Sequence, residues 1–274
     1  MRKNFAQVLK DGKVYIEKEY TRLYNLLYGI YDDNLKGISL YDLFSRYFPS
    51  MWFRGTALTL EEFDEERGFF FEAQPQNFNI DYLVTFCEYF YNITYGFMGA
   101  NPSLYQNYLQ FVIKQIELVI SAIGYMATHQ NGVTVFVEKS QSAIAVSEII
   151  EDKNLSYKTI YYNHHSMQGN IDGKREILLK YANLLESKRK MLHNINPGLE
   201  DDIFCMFNSL NIRHNNVEKT DKNYIKYVSE MSLERIEEWY DELYQMCLLA
   251  FLELEHKERK SKIKILRENI KPTK

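Results

Sequence analysis

Glycine and proline are scarce in this chain, at 12 and 5 of 274 residues, which argues against a loop-rich or all-β architecture. Cysteine is scarcer: Cys87, Cys205 and Cys247 are far apart and form no CxxC pair, which excludes a disulfide framework and a zinc ribbon. No apolar run is long enough to span a bilayer, and the first residues, MRKNFAQVLKDGKV, lack the apolar core of a secretory signal. We therefore expect a mostly helical, cytoplasmic protein without a membrane partner.

Positive charge is in short supply overall, and it is unevenly distributed. The formal net charge of −4 excludes a generally basic nucleic-acid-binding protein. Residues 1–136 carry 11 Lys/Arg against 15 Asp/Glu, whereas residues 137–274 carry 22 of each. We therefore expect any site for a polyanion in the second half. Its tail, HKERKSKIKILRENIKPTK, is locally basic, and there Lys260 and Lys262 are candidates for contact with RNA phosphates.

Phosphate loops and catalytic signatures are missing too. The chain has no GxxxxGK[ST], GxGxxG, GxSxG or HExxH motif, so we expect neither a cofactor nor a metal ion. The adjacent His164 and His165 would point to opposite sides of an extended chain, which predicts loop hydrogen bonding and not a shared metal. His193 lies near the end of a predicted helix, where a capping role is the default.

Helical apolar spacing and aromatic residues are what the sequence has in abundance, with 22 Tyr and 17 Phe. We interpret residues 1–127 as a helical, aromatic-rich region, 128–170 as a linker with a small β element, and 171–274 as a C-terminal helical bundle with a basic tail. The β element is predicted at VTVFVEK (133–139), with SYKTIYY (156–162) as a weaker candidate strand.

Two predictions concern local structure in the first region. Asn101-Pro102 has the pattern of a helix start, an N-cap followed by proline. The string TLEEFDEER predicts an acidic helix that Thr59 caps and whose carboxylates face solvent.

The second half shows a clear seven-residue apolar repeat, which predicts one long helix. Its members are Ile171, Leu178, Leu185 and Leu192. The apolar spacing after this repeat predicts two more helices. On the next helix, apolar residues recur every three or four positions from Leu199. The same spacing leads to position 213, where the chain has Arg213 and then His214. We therefore expect this pair to extend the buried face at a helix end, beside a polar cleft. Asn215 and Asn216 follow, and asparagine favours the left-handed conformation that ends helices.

A bundle with a polar, arginine-containing turn before a long closing helix resembles the HEPN superfamily, found in bacterial abortive-infection and toxin systems. The resemblance covers about residues 170–258. The family mark is an arginine, a polar residue, and a histidine four to six residues after the arginine. Arg213 and His214 match the first two elements, and no histidine follows at that spacing.

The resemblance implies a phage-defence protein that cleaves RNA without a metal, at a cleft between two copies of the chain. In that role Arg213 would stabilise charge on phosphate, His214 would act as general base or acid, and Asn215 and Asn216 would position the RNA. The alternative is a non-catalytic interaction or regulatory protein that dimerises through the same bundle, with a structural turn. A third interpretation is a small-molecule-binding domain in the aromatic first half.

Overall fold

The computed structural model describes residues 14–30, 37–101 and 103–270. The chain divides into two compact units, Met1–Glu138 and Lys139–Lys274. Secondary structure in the described residues is mostly helical, with one small sheet, which confirms the mostly-α fold. None of the helices described here is both long enough and apolar enough to cross a membrane. Residues 1–13, in which the sequence predicts no secretory signal, lie outside the described residues.

The first unit contains five of the described α-helices, a short 3-10 helix and a β-hairpin. Its helices are α1 (Ile16–Tyr28), α2 (Leu40–Tyr47), α3 (Leu60–Arg67), α4 (Ile80–Ala100) and α5 (Gln106–Ala122), with the 3-10 turn at Phe48–Ser50. Thr59 caps α3 as predicted, by accepting from Glu62 N. The start expected at Asn101-Pro102 is wrong: α5 begins at Gln106, after Tyr105 in a left-handed conformation (φ 54°), and Pro102 lies outside the described residues.

The hairpin consists of β1 (Tyr125–Gln130) and β2 (Val133–Glu138), paired antiparallel with Gln130 opposite Val133. Asn131 and Gly132 form its turn, both at positive φ, as the two-residue hairpin turn requires. β2 is the strand that the sequence predicts at 133–139.

The core of the first unit is unusually aromatic and centres on α4, which is buried on most of its faces. Tyr20 of α1, for example, contacts four other rings and donates its hydroxyl to the carbonyl of Glu72. Helix α3 also packs against this core. Its Asp64 is 7% exposed and accepts from the hydroxyls of Tyr41 and Tyr89. The expectation that every carboxylate of this acidic helix faces solvent is therefore wrong at Asp64.

The second unit contains the remaining α-helices of the described chain and a 3-10 turn at His165–Met167. Its helices are α6 (Gln141–Ile149), α7 (Lys153–Tyr161), α8 (Ile171–Ile195), α9 (Pro197–Ser209), α10 (Lys226–Ser229) and α11 (Leu233–Asn269). The long helix predicted from the seven-residue repeat is α8. The strand predicted at 156–162 is wrong, because Asp152 caps a helix there by accepting from Asn154 and Leu155 N.

Helices α8, α9 and α11 pack together in this unit and surround a core of aliphatic and aromatic side chains. The polar link between α8 and α11 is Lys174, which is 4% exposed and lies 2.7 Å from Glu237 and 2.6 Å from Asp241. Tyr162 donates to the same Asp241 carboxylate. A buried ammonium needs such partners, so this group fixes how the two helices pack.

Candidate functional site

Arg213 and His214 lie in the loop after α9 and not on the buried face of that helix. Helix α9 ends at Ser209, and Asn211 adopts a left-handed conformation (φ 55°) that redirects the chain. Ile212 therefore takes the buried position, at 1% exposed, while Arg213 is half-buried and His214 is exposed. The expectation that Arg213 and His214 extend the buried face is wrong, because the left-handed residue breaks the helical register before it reaches them.

Arg213 forms a surface ion pair. Its Nη1 lies 2.7 Å from Oε2 of Glu186 on α8, with the two side chains 25% and 43% exposed. Exposed pairs of this kind contribute about 0–1 kcal/mol, so an incoming anion could compete for the guanidinium.

The two asparagines after the pair use their amides within the loop. Asn216 is 1% exposed; its Oδ1 accepts from Asn211 N, while Asn211 Oδ1 accepts from Asn216 N. The Asn216 Nδ2 donates to the carbonyl of Asn223. Asn215 Oδ1 accepts from the next backbone amides, at Val217 and Glu218. Both side chains therefore hold the loop shape in this structure.

Lys260 and Lys262 lie in the last turns of α11. Every described residue from 256 to 270 is exposed, and neither lysine forms an ion pair with another residue of the described ranges. The geometry leaves both ammonium groups accessible to an anion, but nothing in their arrangement orients them toward one point.

A second arginine–histidine pair, Arg189 and His193, lies near the end of α8. It was not among the residues predicted from the sequence. Glu186, Arg189, Lys190 and His193 recur at intervals of three and four residues, so they share one face of the helix. This face spans about 10 Å along the axis, from the partner of Arg213 to the last turn of α8.

One buried carboxylate holds both members of this pair. Glu200, in the first turn of α9, is 3% exposed. Its Oε1 accepts from Nε of Arg189, and its Oε2 lies 2.9 Å from Nδ1 of His193. The arginine and histidine side chains are 43% and 55% exposed. The Arg189 guanidinium also lies 4.2 Å from the ring centre of Phe204.

The electrostatics follow from this arrangement. Burial alone would raise the pKa of Glu200, but the hydrogen bonds from His193 and Arg189 outweigh it and hold the pKa below its usual value. Glu200 is therefore an acceptor at neutral pH. A neutral His193 that donates from Nδ1 carries its lone pair on Nε2, which has no partner among the residues described.

The signal for this site was present in the sequence. The segment RKMLH, 189–193, places an arginine and a histidine four residues apart, which puts both side chains on one face of a helix. Its histidine is not a helix cap: His193 binds the Glu200 side chain across the break at Asn196. Seven residues separate them, and only the angle between α8 and α9 brings them together.

Three groups at this site could also offer ligands to a metal ion: His193, Glu200 and Asp201 have donor atoms within 4.8 Å of one another. Both oxygens of Glu200 already accept a hydrogen bond, and a metal ion there would lie beside the positive charge of the Arg189 guanidinium. Chemistry without a metal ion fits the arrangement better.

In comparisons with known proteins, no family model, no curated protein and no solved structure matches this chain.

His164 stays apart from this chemistry. Its side chain is 6% exposed and stacks on Tyr161, and its Nδ1 lies 2.7 Å from the hydroxyl of Ser166. It also accepts from Ser166 N at the start of the 3-10 turn, which is the loop hydrogen bonding that the sequence predicts. The expectation that His164 and His165 point to opposite sides of an extended chain is wrong, because the 3-10 turn begins at His165 and the two ring centres lie 4.2 Å apart.

Proposed function

We propose that the second unit is a HEPN-like endoribonuclease domain of a phage-defence protein, which cleaves RNA without a metal ion. The observation that carries this proposal is the exposed His193, held by the buried Glu200 beside Arg189. A base, a group that orients it and an adjacent cation are what this reaction needs. The proposal moves the base from His214 to His193 and keeps Arg213 as a second phosphate contact.

The reaction begins at the ribose. Nε2 of His193 takes the proton of a 2′-hydroxyl, and the resulting oxygen attacks the adjacent phosphorus. The bond to the 5′-oxygen breaks, and that oxygen takes a proton from solvent or from a second imidazole. The products are a 2′,3′-cyclic phosphate and a 5′-hydroxyl end.

Arginine supplies the charge in this scheme. The Arg189 Nε is bound to Glu200, and its two terminal nitrogens have no partner among the described residues, so they can contact the phosphate on which negative charge develops. Phe204 and Glu200 hold the guanidinium in place before substrate arrives. Arg213, paired with Glu186 on the same face of α8, is positioned for a neighbouring phosphate.

The family resemblance implies a cleft between two copies of the chain. A two-fold axis next to α8 would bring a second His193 to the first, and one imidazole could then act as base while the other acts as acid. Homodimerisation is part of this proposal.

The direct test is cleavage of a labelled single-stranded RNA in the presence of EDTA, with the ends of the products identified. Cleavage that leaves a 2′,3′-cyclic phosphate and depends on His193 supports the proposal. RNA that stays intact at every protein concentration, or cleavage that needs an added divalent cation, contradicts it.

The second candidate is a non-catalytic protein that dimerises through its helices. It is favoured by the exposed apolar residues near the end of α11, where Ile263, Leu266 and Ile270 recur at helical spacing and are 44–68% exposed. Exposed stripes of this kind commonly bind another helix. If this function is correct, I263K/L266K makes a dimer monomeric in light-scattering chromatography, and the wild-type protein has no ribonuclease activity.

A further inference from the structure

The first unit contains a cavity of about 330 Å³ that no part of the proposed ribonuclease reaction uses. Its walls come from α3, α4, the segments on either side of α3 and the strand β2. Most of the lining surface is apolar, and the main wall residues are Trp52, Phe53, Phe63, Phe69, Tyr89 and Ile93. Its volume is at the lower end of the range for ligand sites, which suits a molecule of one or two rings.

Two glycines allow the aromatic walls to approach their neighbours. A Cβ at Gly96 of α4 would lie 2.2 Å from the Phe53 ring, so only glycine lets that ring pack there. At the hairpin turn, a Cβ on Gly132 would lie 3.1 Å from the indole of Trp52. The indole is 59% exposed and forms the rim of the cavity beside Val133.

Most of the polar groups in the lining are already used to hold β2 against α4. The side chain of Asn92 accepts from Thr134 N and donates to Thr134 O, at 2.8 and 2.7 Å. Glu88 Oε1 accepts from Phe136 N. These bonds fix the position of the strand and therefore the shape of the cavity.

Arg67 is different. It lies in the last turn of α3, lines the cavity and is exposed. Across the residues described, its guanidinium makes neither a hydrogen bond nor an ion pair. It is therefore a cation at the edge of an aromatic cavity, with its donors available.

We propose that this cavity binds a small aromatic carboxylate, with its ring between the aromatic walls and its carboxylate paired with Arg67. The rings of the wall provide stacking and edge contacts for a planar body. A guanidinium binds a carboxylate through two parallel hydrogen bonds, which gives the site both affinity and a preference for an anion.

The test compares three probes of nearly the same shape: phenylacetate, its neutral amide phenylacetamide, and the cationic phenethylamine. The protein used is W239F, in which Trp52 is the remaining tryptophan of the chain, so its fluorescence reports on the rim of the cavity. We expect saturable quenching by phenylacetate at millimolar concentration, with a Kd about tenfold lower than that of phenylacetamide and lower still relative to phenethylamine.

Two variants and one control decide which residues are responsible. R67M in the W239F protein should remove the preference for the anion, so that phenylacetate and phenylacetamide bind within about threefold of each other. V135F, which fills the cavity, should abolish binding of all three probes, with the thermal midpoint confirming that the variant folds. R46M removes an exposed cation of α2 that does not line the cavity and should leave all three affinities unchanged.

The proposal is overturned if phenylacetate does not quench saturably, if the amide or the amine binds as well as the acid, or if R67M keeps the preference. It is also overturned if V135F folds and still binds phenylacetate. None of these measurements involves RNA cleavage, and the W239F substitution in the second unit is common to every protein compared.

Discussion

Nδ1 of His193 lies 2.9 Å from Oε2 of Glu200, so that a largely exposed imidazole is held by a carboxylate that is 3% exposed. The buried partner fixes the ring and its tautomer, while the rest of the imidazole faces solvent. Arg189 binds the other oxygen of the same carboxylate, which places an imidazole and a guanidinium side by side.

Substitution of Glu200 by Gln should lower the rate of RNA cleavage. It should also remove the part of the unfolding free energy that the ionised carboxylate contributes at neutral pH and loses in acid. An amide does not favour the same tautomer of His193, and we expect a roughly ten- to a hundredfold loss of RNA cleavage, typical of a lost orienting partner. Because the pKa of Glu200 is lowered in the folded state, its ionised form stabilises the fold above the unfolded value, about 4.3. That stabilisation is lost as the pH falls through the folded-state pKa.

The measurement is urea unfolding of wild type and E200Q between pH 3 and pH 7, together with RNA cleavage at neutral pH. The matched control is D201N, which removes an exposed carboxylate from the next position of α9. A difference in unfolding free energy between wild type and E200Q that is the same at pH 3 and pH 7 would contradict the assignment.

Asp64 should make the first unit more stable in mild acid. Burial raises the pKa of this carboxyl to about 6, against the lowering effect of hydrogen bonds from Tyr89 and Tyr41. Its Oδ1 is also buried, and no described residue forms a hydrogen bond with it. The folded state therefore binds a proton more readily than the unfolded state, so this group contributes stability as the pH falls from about 7 to 4, by roughly 1–3 kcal/mol.

The variant D64N should unfold with a higher free energy than wild type at pH 7.5 and should lose this part of the pH dependence. Chemical unfolding at pH 4.5, 6 and 7.5 checks it, with the exposed neighbour E65Q as the control. Equal pH dependence in wild type and D64N would show that Asp64 does not titrate in this range.

The asparagine loop gives a matched pair of substitutions. Asn216→Asp removes the donor to the Asn223 carbonyl and places a buried carboxylate oxygen there, so we expect a loss of about 1–3 kcal/mol in unfolding free energy. Asn215→Asp keeps the acceptor that binds Val217 and Glu218 N, so its effect should stay below about 0.5 kcal/mol. Equal effects in thermal or urea unfolding would mean that the loop does not depend on the Asn216 amide.

The helices of the second unit were largely predictable, because their signals are strong and local. The seven-residue repeat from Ile171 gives α8, and the asparagine, proline and glycine at 196–198 give the break before α9. The hairpin turn at Asn131-Gly132 and the cap at Thr59 were visible for the same reason.

The site was harder to predict, because it depends on geometry between elements. A single residue in the left-handed conformation, Asn211, moves Arg213 off the buried face. The apolar spacing of the sequence does not predict this conformation. The pairing of His193 with Glu200 needs the angle between two helices. Asp64 shows the same limit: its position in an acidic run predicts exposure, whereas the packing of α3 against Tyr41 and Tyr89 buries it.

We propose that His193, and not His214, is the base of a metal-independent ribonuclease. The most direct measurement is single-turnover cleavage of a labelled RNA in EDTA by wild type, H193A and H214A, with folding checked by circular dichroism. We expect cleavage by wild type, a loss of at least about a hundredfold in H193A, and an unchanged rate in H214A. Cleavage by H193A at the wild-type rate, or no cleavage by any of the three proteins, would contradict the account.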